Sequence, residues 1–160
     1  MKFSADPKQI FSHPAHILAF GFGSGLSPVA PGTMGTLASI PLYVWMASLS
    51  LPMYALACFM LIIFSIMIAG RSAELLGVHD HSGIVIDEVC GYLVTMMFAP
   101  FAWQWVLVGF ILFRIFDIAK PWPIGFMDKS IGGGLGIVVD DLMAGIYAAI
   151  CLQIIIVLLA

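Results

Sequence analysis

Apolar residues run along this chain in long blocks, and charge falls between them. From Gln9 to Gly70 there is no Asp, Glu, Lys or Arg. Within that stretch, Thr33–Leu49 reads as one membrane-length helix with Pro41 as an interior kink, and Ser50-Leu51-Pro52 as a short turn. Met53–Gly70 follows as a second, almost purely aliphatic helix. Arg71–Gly83 collects Arg71, Glu74, His79, Asp80 and His81, and reads as an aqueous loop. Val89–Phe113 is 25 residues without a charge. One tilted helix there would carry Asp87 and Glu88 about 37 Å from Arg114, to the opposite membrane face. A break at Ala99-Pro100, with Phe101, Trp103 and Trp105 at the interface, would fold the stretch into a hairpin and return both ends to one face. The central proline and the aromatic cluster after it favour the hairpin, with spans near 84–99 and 103–119. Pro121–Gly136 reads as a loop carrying Lys129, and the last span covers about 137–159.

The pattern therefore predicts an all-α, polytopic membrane helix bundle of about five spans, forming a single membrane-embedded domain over 1–160. Residues 1–32 form an N-terminal interfacial segment in this reading, with 7–20 lying along the membrane surface as an amphipathic stretch. The apolar run near His16–Phe22 is short and meets Gly21, Gly23 and Gly25, so it does not read as a cleaved signal peptide.

Composition agrees: 62% of residues are hydrophobic and 9% charged, far from soluble-domain usage. The net charge of −3 argues against nucleic acid as a partner. Cys58, Cys90 and Cys151 are scattered through apolar stretches and read as free thiols. With the hairpin, Lys2, Lys8, Arg71, Arg114, Lys120 and Lys129 all fall at one face, while the turns near Ser50 and Pro100 are uncharged. The positive-inside rule makes the charged face cytoplasmic, with the N-terminus inside and the C-terminus outside.

Five acids break the apolar pattern: Asp87, Glu88, Asp117, Asp140 and Asp141. A carboxylate at mid-membrane costs roughly 2.5–3.5 kcal/mol, less near a helix end, so it usually faces a partner or a site. Asp87, Gly91 and Thr95 recur at i, i+4 and i+8, and Asp140 and Asp141 stand above Ala144, Gly145, Ala148 and Ala149. Small residues at such spacing let membrane helices approach closely, so both stripes should face protein. Arg114, Asp117 and Lys120 follow at i, i+3 and i+6, where Pro121 stops their helix. An architectural role is available to single members: Asp117 could pair with Arg114, and Asp140 could favour its helix dipole. Taken together, five acids against Arg114 and Lys120 leave three charges unmatched. Like charges so close collect protons or cations. Hard oxygen donors without His or Cys suit Mg²⁺ or Mn²⁺, and the neighbouring cations Arg114, Lys120 and Lys129 suit an anion. Metal, acids and cations at a lipid–water boundary point to phosphoryl chemistry on a lipid head group.

Other motifs carry less. Gly21-Phe22-Gly23-Ser24-Gly25 lacks a preceding strand and reads as a loop, not a nucleotide cradle. Pro31-Gly32-Thr33-Met34-Gly35-Thr36 opens a helix whose N–H groups could hold a phosphate, or whose Thr33 could simply be the N-cap. Gly132–Gly136 offers the same choice. His79-Asp80-His81 reads as a polar loop in preference to a transition-metal site. Ser24 and Ser27 lack a visible base. No Cys is followed six positions later by Arg, and no Asp-x-Asp pair is present, so cysteine and aspartyl phosphatase arrangements are missing.

The segments Gly21–Thr36 (GFGSGLSPVAPGTMGT), Gly77–Glu88 (GVHDHSGIVIDE), Phe113–Ile124 (FRIFDIAKPWPI) and Gly133–Asp141 (GGLGIVVDD) resemble the phosphatidylglycerophosphatase A family. The resemblance runs over nearly the whole chain. It implies a bacterial enzyme of the cytoplasmic membrane, acting in phospholipid biosynthesis, that uses Mg²⁺ to remove the terminal phosphate of phosphatidylglycerophosphate and leave phosphatidylglycerol. Set beside that resemblance, the residues suggest that Asp87, Asp117, Asp140 and Asp141 hold one or two Mg²⁺, with Glu88 a further ligand or the base for an attacking water. Arg114 and Lys120, with Thr33 and Thr36, would bind the phosphate. Two rivals remain at this level: a cation or proton transporter using the same acids as an ion path, and a structural subunit whose charges serve helix assembly. The oligomeric state stays open.

Overall fold

The computed structural model describes residues 6–78, 81–126 and 131–159, and Lys2, His79, Asp80 and Lys129 lie outside the described residues. Among the described residues the protein is helical, without strands. Two short helices, α1 (Pro7–Ile10) and α2 (Pro14–Ala19), and a 3₁₀ segment, Gly21–Leu26, come first. Five longer helices form the bundle: α3 (Pro31–Met46), α4 (Leu51–Leu76), α5 (Ile86–Met96), α6 (Trp103–Ala119) and α7 (Gly133–Leu159). Proline opens α1, α2 and α3 at positions where a missing N–H costs nothing. Pro41 sits inside α3 without ending it.

The chain breaks between Met97 and Ala102, so 84–119 is a helical hairpin and not one long helix. Its turn shares a small cavity with the α3–α4 turn, lined by Tyr43, Leu49, Tyr54, Met97 and Phe101. The first turns of α3, α5 and α7 and the end of α6 meet at the other end of the bundle. Charge therefore collects at one end, as the hairpin requires.

Two helix bounds differ from expectation. The second helix does not stop at Gly70: Arg71 and Glu74 lie on the last turns of α4 and pair at 3.2 Å, exposed. Nothing in Arg71–Leu76 breaks a helix, and the stop comes at Gly77, which takes a left-handed φ of 68°. Likewise α7 begins at Gly133, not near Ile137. A Cβ on Gly134 would lie 2.9 Å from the Gly70 nitrogen, so the glycines expected in a loop instead let α7 press on α4. The stretch 7–20 forms two short helices that pack on the bundle. Ile10, Ala19 and Phe20 bury against Ala69, Ala73 and Ile137, and the His16 ring nitrogen Nδ1 lies 2.8 Å from the Ser72 hydroxyl.

α4 and α7, with 26 and 27 residues and mean hydropathies of 2.4 and 2.6, are long and apolar enough to cross a membrane. Only 17% and 22% of their apolar windows are buried inside the protein, unlike the core helices of a soluble domain. α3, α5 and α6, at 16, 11 and 17 residues, are shorter than the ~20 residues a straight crossing needs. The shortest, α5, is also the most enclosed, with eight of its 11 residues buried. Its N-terminal end is covered by protein, with Ile84 and Val85 buried, whereas Phe98 and Phe101 beyond its C-terminal end are exposed.

The small-residue stripes face each other. A Cβ on Gly91 would lie 2.6 Å from the Asp141 carbonyl oxygen, and one on Gly145 would collide with the Gly91 carbonyl. Thr95 donates its hydroxyl to the Gly91 carbonyl at 3.0 Å and reaches the Gly145 carbonyl at 3.3 Å. Backbone contact between α5 and α7 sets how close their acids can stand.

Candidate active site

The charged end of the bundle encloses a cavity of ≈270 Å³. Asp87 and Glu88 enter it from the first turn of α5, Arg114 and Asp117 from the last turns of α6, and Asp140 and Asp141 from the second turn of α7. Lys120 follows α6 in a left-handed conformation (φ 40°), which turns the chain at Pro121. All five acids expected from the sequence thus line one cavity with Arg114 and Lys120, while Lys129, the third expected cation, lies outside the described residues.

They divide into two groups. Arg114 pairs with Asp117 at 2.5 Å and lies 3.9 Å from Glu88. Lys120 reaches Asp140 at 2.5 Å. The architectural pairing available to Asp117 therefore exists, inside the cluster and not instead of it. Asp87, Glu88 and Asp141 form the second group, each offering an oxygen within 4.8 Å of the others. Asp141 is 3% exposed, and its Oδ2 and Glu88 Oε2 are buried without a hydrogen-bond partner among the described residues. Such atoms are costly unless something fills the space between them. Convergent carboxylate oxygens with no soft donor, beside room for water, fit a hard divalent cation such as Mg²⁺.

The remaining wall is backbone. Ala30, Pro31 and Gly32 bring the N-terminus of α3 to the cavity, where first-turn N–H groups lack intrahelical acceptors. Gly32 is tightly placed: a Cβ there would collide with Glu88 Oε1 and lie 3.1 Å from the Arg114 guanidinium. Thr33 and Thr36 stand elsewhere. Thr36 is fully buried and donates to the Gly32 carbonyl at 2.8 Å, within its own helix. Thr33 lines a separate apolar groove on the far side of Arg114. Nor is Thr33 the cap, since Ala30 holds the N-cap position without a side-chain bond. The helix end faces the site through its backbone, while the Thr36 hydroxyl is turned back onto the carbonyl one turn before it.

Gly136, from the Gly132–Gly136 helix start, also lines the cavity, as do Ser82, Ile84 and Ile137, which carry no sequence signal of their own. His81 does not line it. Its Nδ1 accepts the Gly83 N–H at 3.0 Å and its ring packs 5.3 Å from Phe20, supporting the loop into α5. Ser27 donates to the Val29 carbonyl, and Ser24 lies 3.5 Å from the Phe20 carbonyl, so neither is placed as a nucleophile.

The family model described as phosphatidylglycerophosphatase A matches residues 17–156. The chain is 48% identical over 139 residues to the phosphatidylglycerophosphatase A of Escherichia coli strain K12, covering 86% of this chain and 81% of that protein. It is 43% identical over 143 residues to the Haemophilus influenzae protein of the same name, covering 86% of each. A Bacteroides thetaiotaomicron protein provisionally named a phosphatidylinositol-3-phosphatase is 36% identical over 145 residues, 86% of this chain and 91% of that one. No solved structure matches the chain.

Proposed function

The chain belongs to the phosphatidylglycerophosphatase A family, and we propose that it hydrolyses the terminal phosphate of phosphatidylglycerophosphate in a Mg²⁺-dependent reaction. The products are phosphatidylglycerol and inorganic phosphate, a step of phospholipid biosynthesis. The observation that carries this reading is the convergence of five carboxylates and two cations around one cavity beside a helix N-terminus.

Asp87, Glu88 and Asp141 would hold the metal, with Asp117 and Asp140 on its outer side. Bound there, Mg²⁺ would neutralise phosphoryl oxygens and lower the pKa of a ligand water. Arg114 and Lys120 are the anion-binding groups. Each is held by a carboxylate, Asp117 or Asp140, that orients it in the absence of substrate. Arg114 offers planar paired donors to the phosphoryl oxygens, and Lys120 a point charge. First-turn N–H groups of α3 add neutral donors on the same wall. Hydrolysis joins the oxygen of a water to phosphorus and breaks the bond to the glycerol oxygen. If Asp87 and Asp141 hold the metal without it, Glu88, in reach of Arg114, is suited instead to accept the water proton and return it to the departing glycerol oxygen.

We further propose that all five bundle helices lie within the bacterial cytoplasmic membrane and that the cavity faces the cytoplasm. Lys8, Arg71, Arg114 and Lys120 at that end support the orientation. A transporter would want ionisable groups continued towards the other face. The cavity at the opposite end is lined by Tyr43, Tyr54 and apolar residues, which weighs against that rival.

The test is phosphate release from phosphatidylglycerophosphate in detergent micelles by purified protein. Activity should require Mg²⁺, vanish in excess EDTA and return on re-addition of Mg²⁺. Full turnover in EDTA sinks the metal reading, and no release under any metal sinks the substrate.

A further inference from the structure

Arg114 lies on two concavities. One is the acid-lined cavity. The other is a groove of ≈460 Å³ on the outer side of the bundle between α3 and α6, lined by Thr33, Phe110, Ile111, Arg114, Ile115 and Ile118. Ile111, Ile115 and Ile118 recur at i, i+4 and i+7 on one face of α6, and all three are exposed. Apart from Arg114 and Thr33, every residue of the wall is apolar. The groove runs along α6 from Phe110, one turn before Arg114, to Ile118 and Ala119 at the charged end.

We propose that this groove holds an acyl chain of the lipid substrate while its phosphate occupies the acid-lined cavity. The inference rests on the lipid-phosphate reading above and adds the subsite that reads the lipid part. The substrate is an amphiphile with an anion at one end and alkyl chains at the other. The protein presents the complement side by side: carboxylates with room for a cation in one concavity, an open apolar channel in the other, and Arg114 shared between them. Arg114 is the hinge between the two. Its guanidinium faces Asp117 and Glu88 on one side, and its aliphatic stem covers the mouth of the groove on the other. α4 and α7 are also exposed and apolar, yet neither brings such a face up against a cation of the site. Side chains at 111 and 115 thereby set a preference for long-chain over water-soluble phosphomonoesters.

A phosphatidic acid carrying a mid-chain diazirine tests the placement without turnover. After irradiation in nanodiscs, adducts should concentrate on the Phe110–Ile118 segment of α6 and the first turns of α3. Excess unlabelled phosphatidic acid should remove them, and excess phosphatidylcholine should not. Adducts spread evenly over α4 and α7, or displaced equally by phosphatidylcholine, would mark ordinary boundary lipid and overturn the proposal. Kinetics give the second arm. Ile111→Trp and Ile115→Trp should raise KM for long-chain phosphatidylglycerophosphate about tenfold more than KM for its deacylated, water-soluble counterpart. An unchanged ratio of the two also overturns it. Wild-type protein that labels at α6 but releases no phosphate counts against the proposed reaction while upholding the groove, so the two failures are distinct.

Discussion

Gly91→Ala adds one methyl at the point where α5 touches α7. Its Cβ would stand 2.6 Å from the Asp141 carbonyl oxygen and 2.5 Å from the edge of the Phe113 ring, where ordinary contact starts near 3.4 Å. The ring can rotate or shift. The carbonyl cannot, because it belongs to the α7 backbone that carries the Asp141 side chain. Going from 2.6 to 3.4 Å requires α7 to recede by about 0.8 Å at that residue. Asp87 is one turn before Gly91 on the same face, so the retreat widens the triangle of Asp87, Glu88 and Asp141. A misplacement near 1 Å costs about 10²-fold in rate, or ~2.7 kcal/mol of transition-state stabilisation. Overpacking should also cost roughly 1–3 kcal/mol of stability. The assay is phosphate release at saturating Mg²⁺, read beside thermal unfolding in detergent. Adding Phe113→Leu should relieve the ring contact but not the carbonyl contact, so the double variant should stay slow. A Gly91→Ala enzyme with near-wild-type rate, or full recovery in the double variant, would refute the claim that backbone contact sets the spacing of the acids.

Further outcomes are expected. Asp141→Asn keeps shape but removes a buried charge from the triad, and should stay folded while losing about 10³-fold or more in rate. Gly32→Val should lower kcat/KM by driving a side chain into Glu88 and Arg114, whereas Thr36→Val, which loses only a bond to its own helix, should keep its rate. A slow, well-folded Thr36→Val would restore the hydroxyl to the site. Tyr54→Phe removes a buried 2.8 Å hydrogen bond to the Leu93 carbonyl. It should cost about 1 kcal/mol in unfolding measurements with no change in turnover, and a large loss of rate would show that the far end of the bundle is coupled to the site.

Much of the site was readable in one dimension because periodicity and burial cost are local properties. Asp87, Gly91 and Thr95 share a face by helical spacing alone, and a carboxylate in an apolar helix must be answered wherever it sits. Pro100, uncharged turns and flanking aromatics foretold the hairpin for the same reason. Reading failed where an outcome depends on a neighbour from another helix. Gly133 and Gly134 have loop composition, but Gly70 of α4 lies against Gly134, and the two open the first turn of α7. Thr33 and Thr36 sit beside a plausible anion site in sequence, while the rotation of α3 about its axis bonds the Thr36 hydroxyl to its own helix and sets Thr33 against the apolar groove.

Residue order was enough to establish an all-helical apolar chain, five acids at helix ends, two cations beside them and stripes of small residues behind them. Each follows from spacing along one helix or from the cost of a charge in hydrocarbon. Folding settled the rest: Arg114 pairs with Asp117 and lies near Glu88, Lys120 pairs with Asp140, and Asp87, Glu88 and Asp141 converge. That division depends on the axial shift and rotation of α5, α6 and α7 against one another, fixed by contacts such as Gly91 on Asp141 and Gly145 on Gly91. Distances of an ångström between helices far apart in the chain are sums over the whole packed bundle, and no local pattern encodes them.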